Sequence, residues 1–300
     1  MTKWLFHRQL DSAVTAQSLR TLLSDEWLLP KYLIRQLRIN QRVLVNHQYH
    51  PVNTIVHAGD QIQLEFVTSD FTHLPPHPPI TVDPAGTVEV VYEDHDLLIV
   101  NKHRGEKTHP NQPGELGSTL NFAANYLASK GEAPYMVHRL DMETSGALII
   151  AKNPPVAVPI LNRQISNKII ERTYLTWVHG VGLPKSGTID LPIGRDPEDK
   201  RKRKVNGINA QSALTHYQVL KEQAGNSLLQ VNLKTGRTHQ IRVHLAASGH
   251  SLIGDPPLYS NDNIEQPMLL HSWQVVFPLL FSHQWQTVMA PVPKGFEPSS

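Results

Sequence analysis

The segment VHRLDMETSGALIIAK, Val137–Lys152, places one carboxylate between a basic tract and a strongly apolar run. The pattern predicts that Val137–Leu140 ends one strand and that Ala147–Ala151 forms the next. Gly146 permits a tight connection between them because it has no Cβ atom. Asp141 would then lie on a loop held by two buried strands, which is a rigid position suited to a catalytic group.

Asp141 also has an ordinary structural explanation. A loop aspartate can pair with a neighbouring arginine, here Arg139, or cap a turn through its side chain. For an isolated aspartate beside a glycine this structural role is the more common one. The catalytic interpretation therefore depends on the remainder of the chain.

Composition limits the functional classes. The chain has 300 residues, enough for two domains, with 40% hydrophobic and 18% charged residues, as is typical of a globular protein. It contains no cysteine, which excludes disulfides, thiolate metal sites and a cysteine nucleophile. We find no apolar signal-peptide region and no membrane-length apolar run, so we expect a cytoplasmic protein with no membrane partner.

The net charge of +2 is too small for a nonspecific polyanion binder, so any nucleic-acid surface must come from local clusters. Two clusters are visible. The first contains Lys31, Arg35, Arg38 and Arg42, and helical spacing puts its first three members on one face. From spacing alone, a solvated helix face is the favoured explanation. The second is the run of Lys200, Arg201, Lys202, Arg203 and Lys204.

The chain divides into three regions, 1–68, 69–86 and 87–300. The first is predicted to contain two short helices, followed by two strands that flank a Gly59-Asp60 turn: Ser18–Leu23, Pro30–Leu37, Arg42–Asn46 and Gln61–Phe66. The second is rich in proline and is predicted to be a semi-rigid linker. His73 and His77 lie in this linker, without a helix or further ligands to form a metal site.

The third region has many short strands and few helices, which predicts an α+β fold with a mostly antiparallel sheet. The expected strands are Val88–Tyr92, Leu97–Asn101, Gly146–Lys152, Tyr174–Val181, Ala213–Leu220, Ser227–Leu233 and Trp273–Phe277. The expected helices are Ser118–Lys130, Val156–Asn167 and Thr238–Ser248, the last capped by Thr238 and terminated at Gly249.

The helix, helix, strand, turn, strand order of the first region resembles the alpha-L RNA-binding fold over roughly Ser18–Phe66. The resemblance implies that the basic cluster of the second helix and strand start contacts RNA phosphates. Asn40, Gln41 and His47 stand here around positions where that family usually has glycine.

The third region resembles the RluA-type pseudouridine synthases along nearly its whole length. The motifs that carry the resemblance are Tyr92–Lys102, His138–Gly146, Ile170–Leu175, Lys234–Leu245, Gly254–Tyr259 and Leu269–Ser272. The resemblance implies the pseudouridine synthase fold, with Gly254–Tyr259 and Leu269–Ser272 as fold elements. This sequence departs from the family pattern at His103, where a proline is common, and at Arg172, where lysine is more common.

The resemblance also implies roles for individual residues. Asp141 would be nucleophile or base, Tyr174 would stack on the target base, and Arg242 would hold Asp141 through its guanidinium. Arg139 would fill the space left by the flipped base, with His138 beside it. The basic run from Lys200 to Arg203 would lie against RNA.

The implied activity is isomerisation of specific uridines in structured RNA to pseudouridine. The stoichiometry requires no metal, cofactor or redox change. Ribosomal RNA is the favoured substrate and transfer RNA the other, and a monomer is expected. The alternatives are a noncatalytic RNA-binding protein that retains the fold and a Ser-His-Asp hydrolase using Ser145. Against the hydrolase, the sequence has no Gly-x-Ser-x-Gly motif of the kind that forms a nucleophile elbow.

Overall fold

The computed structural model describes residues 3–71, 80–153, 164–165, 167–256, 259–260, 266–282 and 284–296. An N-terminal sheet covered by short helices is followed by a second, larger sheet, whose strands come from the rest of the chain. The α+β architecture with mostly antiparallel pairing is confirmed, because one of the strand pairs of the large sheet runs parallel and its other pairs are antiparallel.

The N-terminal part contains the two predicted helices and strands, and a first strand that the sequence analysis missed. Its elements are β1 Lys3–Gln9, β2 Gln17–Ser18, α1 Leu19–Thr21, a π-helical turn Leu22–Glu26, α2 Lys31–Ile39, β3 Val43–Val45, β4 Gln48–Tyr49, β5 Ile55–Val56 and β6 Gln61–Val67. The sheet order is β1-β6-β3-β4. Helix α2 turns its apolar side inward, burying Leu33, Ile34 and Leu37, so its basic residues face outward.

The larger part contains most of the predicted strands, with boundaries shifted by a few residues. Its elements are β7 Val90–Glu93, β8 Leu97–Lys102, α3 Thr119–Ala128, β9 Tyr135–Met136, β10 Ser145–Ala151, β11 Glu171–His179, β12 Ser186–Asp190, β13 Ile193–Arg195, β14 Arg203–Val205, β15 Ile208–Gln211, β16 Leu214–Gln223, β17 Asn226–Leu233, α4 Gln240–Ala247, β18 Leu270–Pro278 and β19 Trp285–Met289. The large sheet has the order β12-β16-β17-β11-β18-β10-β8-β7.

Strands β13, β14 and β15 form a separate small sheet that was not predicted. The run Lys200–Lys204 was interpreted as a loop, but its second half belongs to β14.

The prediction of a strand at Val137–Leu140 is wrong. The strand ends at Met136, and the backbone of Leu140 instead bonds to a side chain. The Thr108 hydroxyl donates to the Leu140 carbonyl at 2.8 Å and accepts from the Leu140 amide at 3.1 Å. These bonds replace a strand ladder and fix the irregular segment that leads to Asp141.

Strand β10 meets β18 in the parallel pair, and Gly146 makes that contact possible. Gly146 has a φ of 107°, and a Cβ atom there would lie 2.2 Å from the Ser272 carbonyl oxygen. Two side-chain bonds reinforce the pairing: Ser145 Oγ lies 2.9 Å from His271 Nδ1, and Ser272 Oγ donates to the Ala147 carbonyl at 3.0 Å. The strand that follows Asp141 is therefore fixed on both sides.

The predicted linker 69–86 is anchored at both of its described ends. Residues Thr68–Phe71 form a 3₁₀ turn in which Asp70 and Phe71 are buried. On the far side, Asp83 accepts from the Gly117 amide at 2.9 Å. The intervening prolines and histidines at 72–79 and most of the predicted helix Val156–Asn167 lie outside the described residues.

One apolar core joins the N-terminal part to the larger part. The ring centre of Phe281 lies 5.1 Å from the ring centre of Phe6 and 5.0 Å from that of Trp27. Arg8 adds polar contacts across the same seam, donating to the Leu280 carbonyl at 3.3 Å and lying 3.6 Å from Asp96. No helix among the described residues is long and apolar enough to cross a membrane.

Replacing Gly146 by alanine is expected to lower the free energy of unfolding by about 2 kcal/mol or more beyond the cost of a positive φ, because the new methyl group meets backbone. Gly59→Ala is the matched control, since Gly59 has a φ of 89° with nothing within 4 Å of an added Cβ. Urea unfolding of both variants tests this. Equal losses in the two variants would contradict the close approach at Ser272.

Burial holds the pKa of His271 down at about 4. In the unfolded chain a histidine titrates near 6.5, so below that pH the unfolded state binds a proton that the folded state does not. Stability is therefore expected to fall as the pH decreases from about 6.5 to 4. His271→Asn should reduce this slope by up to about 1.4 kcal/mol per pH unit, measured by denaturant unfolding at several pH values. An unchanged slope would argue against a buried neutral His271.

Candidate active site

A buried lysine fixes the loop that carries Asp141. Lys102 is fully buried at the end of β8, and its ammonium donates to the carbonyls of His103, Glu106 and Met142 at 2.8, 2.7 and 3.1 Å. Burial lowers the pKa of Lys102 to about 8. Because Met142 follows Asp141 directly, this contact limits the movement of the loop.

Arg242 lies between two carboxylates. Its Nε and Nη2 donate to Asp255 at distances of 2.6–3.1 Å, while its Nη1 lies 3.5 Å from Asp141 Oδ2. The Asp255 side chain is 0% exposed, that of Arg242 4%, and that of Asp141 21%. Burial alone would lower the pKa of Arg242, but the hydrogen bond and charge of Asp255 raise it. The cation that contacts Asp141 is therefore permanent.

Helix α4 begins at Gln240, not at Thr238, and Thr238 does not cap it. The Gln240 side chain instead accepts from the Arg237 amide at 3.0 Å and from the Thr235 hydroxyl at 2.8 Å. His239, at the N-cap position, has left-handed backbone with a φ of 58°. The turn is thereby closed by a residue inside the helix, while His239 projects beside Asp141.

Tyr174 lies at the centre of the large sheet and also lines the site. It pairs with Val231 on β17 and with Ser272 on β18, and only 5% of it is exposed. The register shifts between Thr173 and Tyr174, and such bulges re-aim side chains beside active sites. The strand-core and base-stacking interpretations of Tyr174 are therefore compatible.

These residues enclose a cavity of about 130 Å³. The structure brings Asp141, Tyr174, Arg242 and Arg139 together in its wall. Arg139 is exposed, as a residue at the mouth of the cavity must be. The wall also contains His239 and two further arginines, Arg172 and Arg237, whose positive charge surrounds the single carboxylate.

His138 does not line this cavity. Its Nε2 accepts from the Ile149 amide at 3.0 Å, so the ring holds the Asp141 segment against β10. Burial, together with the nearby charge of Arg172, lowers the pKa of His138 to about 3. The structure thus gives His138 a supporting contact, and its position against RNA stays a prediction.

The basic residues of the N-terminal part separate into two groups. Lys31, Arg35 and Arg38 line a groove of about 360 Å³, where they are joined by Arg20, which the sequence analysis missed. Arg42 does not reach this groove, because its guanidinium is held by Asp70 through two hydrogen bonds of 2.8 and 2.6 Å. Sequence spacing could not reveal a partner 28 residues away.

The second basic run is also partly engaged within the protein. Arg201 pairs with Asp199 at 2.7 Å, and the Arg203 side chain donates to the carbonyls of Lys200 and Lys202. Lys200 and Arg201 are exposed, while Lys202 and Arg203 are partly buried. The described residues contain no group of three or more His, Cys, Asp or Glu side chains that could hold a metal ion.

Three contributors to the site were missed or given only a fold role: His239, Asp255 and Tyr259. His239 Nδ1 lies 2.9 Å from the Tyr259 hydroxyl, and its Nε2 lies 3.8 Å from Asp141 Oδ2. All three stand in the motifs Lys234–Leu245 and Gly254–Tyr259. The signal was present in the sequence, but their contacts with Asp141 and Arg242 depend on tertiary packing.

Comparison with known proteins identifies the family. Residues 96–247 match the family model described as RNA pseudouridylate synthase, and residues 6–62 match that of the RluD ribosomal pseudouridine synthase N-terminal domain. YhcT of Bacillus subtilis, named as an RNA pseudouridine synthase, is 36% identical over 82% of this chain and 80% of its own.

Ribosomal large subunit pseudouridine synthase D of Neisseria meningitidis serogroup A is 31% identical over 89% of this chain and 74% of its own. The solved structure of human RNA pseudouridylate synthase domain containing 4 superposes with a TM-score of 0.58 and 25% identity, over 69% of this chain and 90% of that one. With this sequence, this fold and these motifs, the chain belongs to the RNA pseudouridylate synthase family, of the RluA type with an N-terminal RNA-binding domain.

Proposed function

We propose that this pseudouridine synthase modifies specific uridines of structured ribosomal RNA and that Asp141 is its essential carboxylate. The observation that supports this assignment is the environment of Asp141. It is a partly exposed carboxylate in a cavity, 3.5 Å from a buried arginine whose other nitrogens are occupied by Asp255. A group held in this way keeps its position while one side remains open to substrate.

The reaction breaks the bond between ribose C1′ and uracil N1 and forms a bond between C1′ and C5. N1 gains a proton and C5 loses one. Asp141 either attacks C1′ or removes a ribose proton, and both routes require an ionised carboxylate. Arg242 places a positive charge 3.5 Å from the Asp141 carboxylate. Tyr174 lines the cavity, where a flat ring can stack against the rotating base.

A uridine within a helix cannot reach this cavity while it remains stacked, so the base must leave its stack. Arg139 is exposed at the mouth and lines the cavity together with Asp141. Its guanidinium is planar and can replace the contacts that the departing base gives up. We therefore assign to Arg139 the stabilisation of the opened RNA.

The groove of Lys31, Arg35, Arg38 and Arg20 is the proposed phosphate-binding surface of the N-terminal part. Three of these side chains lie on one face of α2 and Arg20 lies on α1, and none has a carboxylate partner within salt-bridge distance among the described residues. Phosphate contacts fix the orientation of the RNA without reading its sequence. Lys200, which is exposed and precedes β14, is a further proposed phosphate contact.

Ribosomal RNA is proposed over transfer RNA for two reasons. A related protein that matches 89% of this chain is named as a large-subunit ribosomal enzyme. The N-terminal match is likewise to the domain of a ribosomal pseudouridine synthase.

Asp141→Asn is expected to abolish tritium release from 5-tritiated uridine RNA, with a rate loss on the order of a thousandfold or more, because the amide is neither nucleophile nor base. The substrates are ribosomal and transfer RNA purified separately from cells that lack the gene. Glu143→Gln is the matched control: it removes an acid of the same turn that does not line the cavity, and it should retain activity.

Release by wild type from ribosomal RNA alone, with none by Asp141→Asn, supports both the substrate assignment and the role of Asp141. Release by wild type from transfer RNA alone refutes the substrate assignment. Equal release by wild type and Asp141→Asn refutes the role of Asp141. No release by wild type from either RNA, when the protein binds both, favours a noncatalytic RNA-binding function.

Replacing Lys31, Arg35 and Arg38 together by glutamine should weaken RNA binding and reduce its salt dependence. The slope of log K against log salt concentration should decrease by about 0.7–0.9 for each phosphate that the variant no longer neutralises. Fluorescence anisotropy at several salt concentrations measures this. Lys3→Gln is the control, because Lys3 is an exposed cation on β1, paired with Glu65 and away from the groove. An unchanged slope in the triple variant would exclude the groove from phosphate binding.

A further inference from the structure

We propose that His239 is a positioning residue for Asp141, and that Tyr259, held by the backbone of the basic strand β14, fixes the tautomer this role requires. The geometry is a continuous series of contacts. Asp141 Oδ2 lies 3.8 Å from His239 Nε2, His239 Nδ1 lies 2.9 Å from the Tyr259 hydroxyl, and that hydroxyl accepts from the Arg203 amide at 2.7 Å.

The placement of protons follows from the donors available. The Tyr259 oxygen already accepts the hydrogen of the Arg203 amide, so its own single proton is free to be donated elsewhere. The acceptor within reach is His239 Nδ1. A neutral imidazole that accepts at Nδ1 carries its hydrogen at Nε2. That hydrogen is on the atom nearest to Asp141, so the ring presents an N–H to the carboxylate.

His239 contributes a dipole and not a second cation. Burial, together with the charges of Arg242, Arg203 and Arg139 and against the opposing effect of Asp141, lowers its pKa to about 4. Near neutral pH the two groups that lie within 4 Å of the Asp141 carboxylate are therefore one cation, Arg242, and one neutral donor, His239. The 3.8 Å separation exceeds hydrogen-bond length, and catalytic contacts of this kind commonly shorten when substrate is bound.

The local backbone supports this role. His239 adopts a left-handed conformation with a φ of 58°, which a non-glycine residue adopts at a cost and retains only where its surroundings fix it. Its ring packs edge-on against Tyr259 at 5.6 Å, and the Arg242 guanidinium lies 4.9 Å from the centre of the same tyrosine ring. Tyr259 thus contacts both side chains that approach Asp141.

This arrangement connects the catalytic carboxylate with the strand that carries the second basic run. Arg203 begins β14, and its amide is the group that orients Tyr259. The position of β14 therefore determines whether His239 presents Nε2–H or Nδ1–H. The activity part of this inference rests on the proposed function, whereas the tautomer part can be measured without substrate.

The tautomer is tested by long-range ¹⁵N–¹H correlation spectra of ¹⁵N-histidine-labelled protein near pH 7, assigned through His239→Gln. Wild type should show His239 with a protonated Nε2. Tyr259→Phe should shift the equilibrium away from that form, because the donor to Nδ1 is gone. Tyr126→Phe is the matched control, since it removes a half-buried hydroxyl that bonds to Glu93 outside the cavity. A protonated Nδ1 in wild type, or no change in Tyr259→Phe, overturns the proposal.

The consequence for the reaction is tested with two substitutions that share the same backbone strain. His239→Gln retains an N–H near the carboxylate, and His239→Leu does not. We expect kcat to decrease about tenfold in His239→Leu, the effect of removing one hydrogen bond to a charged group, with KM for RNA within about twofold. His239→Gln should recover most of that loss. Urea unfolding verifies that both variants fold.

Equal kcat in the leucine and glutamine variants, or a loss confined to KM, refutes positioning by His239. If wild type releases no tritium, the proposed function has failed, and the tautomer spectra alone decide whether Tyr259 controls the His239 ring.

Discussion

The ion pair between Arg242 and Asp255 is the interaction on which the site depends. Both side chains are almost completely removed from solvent, and such a pair is favourable only when its geometry compensates for desolvation. Here the guanidinium donates to both carboxylate oxygens, and the aromatic ring of Tyr259 lies beside it. The pair joins helix α4 to the segment before β18, so the cation facing Asp141 is set by the fold.

The two carboxylates around Arg242 illustrate how burial assigns different functions to one chemical group. Asp255 accepts the close hydrogen bonds and is inaccessible, so it acts as a structural anion. Asp141 receives a single longer contact from Arg242 and remains 21% exposed, which leaves its oxygens available to a substrate. The difference arises because Asp141 stands on a loop fixed by Lys102, outside the core, while Asp255 is enclosed.

Much of this arrangement could be predicted from the sequence, because it is expressed in local patterns. Apolar spacing gave α2, and the segment around Asp141 indicated a rigid loop before a buried strand. The failures have a common physical origin in contacts distant along the chain. The bonds of Thr108 to Leu140 remove a predicted strand, and the pairing of Arg42 with Asp70 separates Arg42 from the groove lined by the other members of its cluster. Composition and periodicity carry no information about such partners.

The aromatic seam formed by Phe6, Trp27 and Phe281 has a consequence for how an RNA is selected. Two binding surfaces connected by a flexible linker accept many target geometries, but binding each target carries the entropic cost of ordering the linker. When a packed core joins the two surfaces, that ordering has already taken place during folding. The distance between the proposed phosphate-binding groove of α2 and the Asp141 cavity is then fixed, so an RNA that must reach both would be distinguished by its shape as well as by its charge.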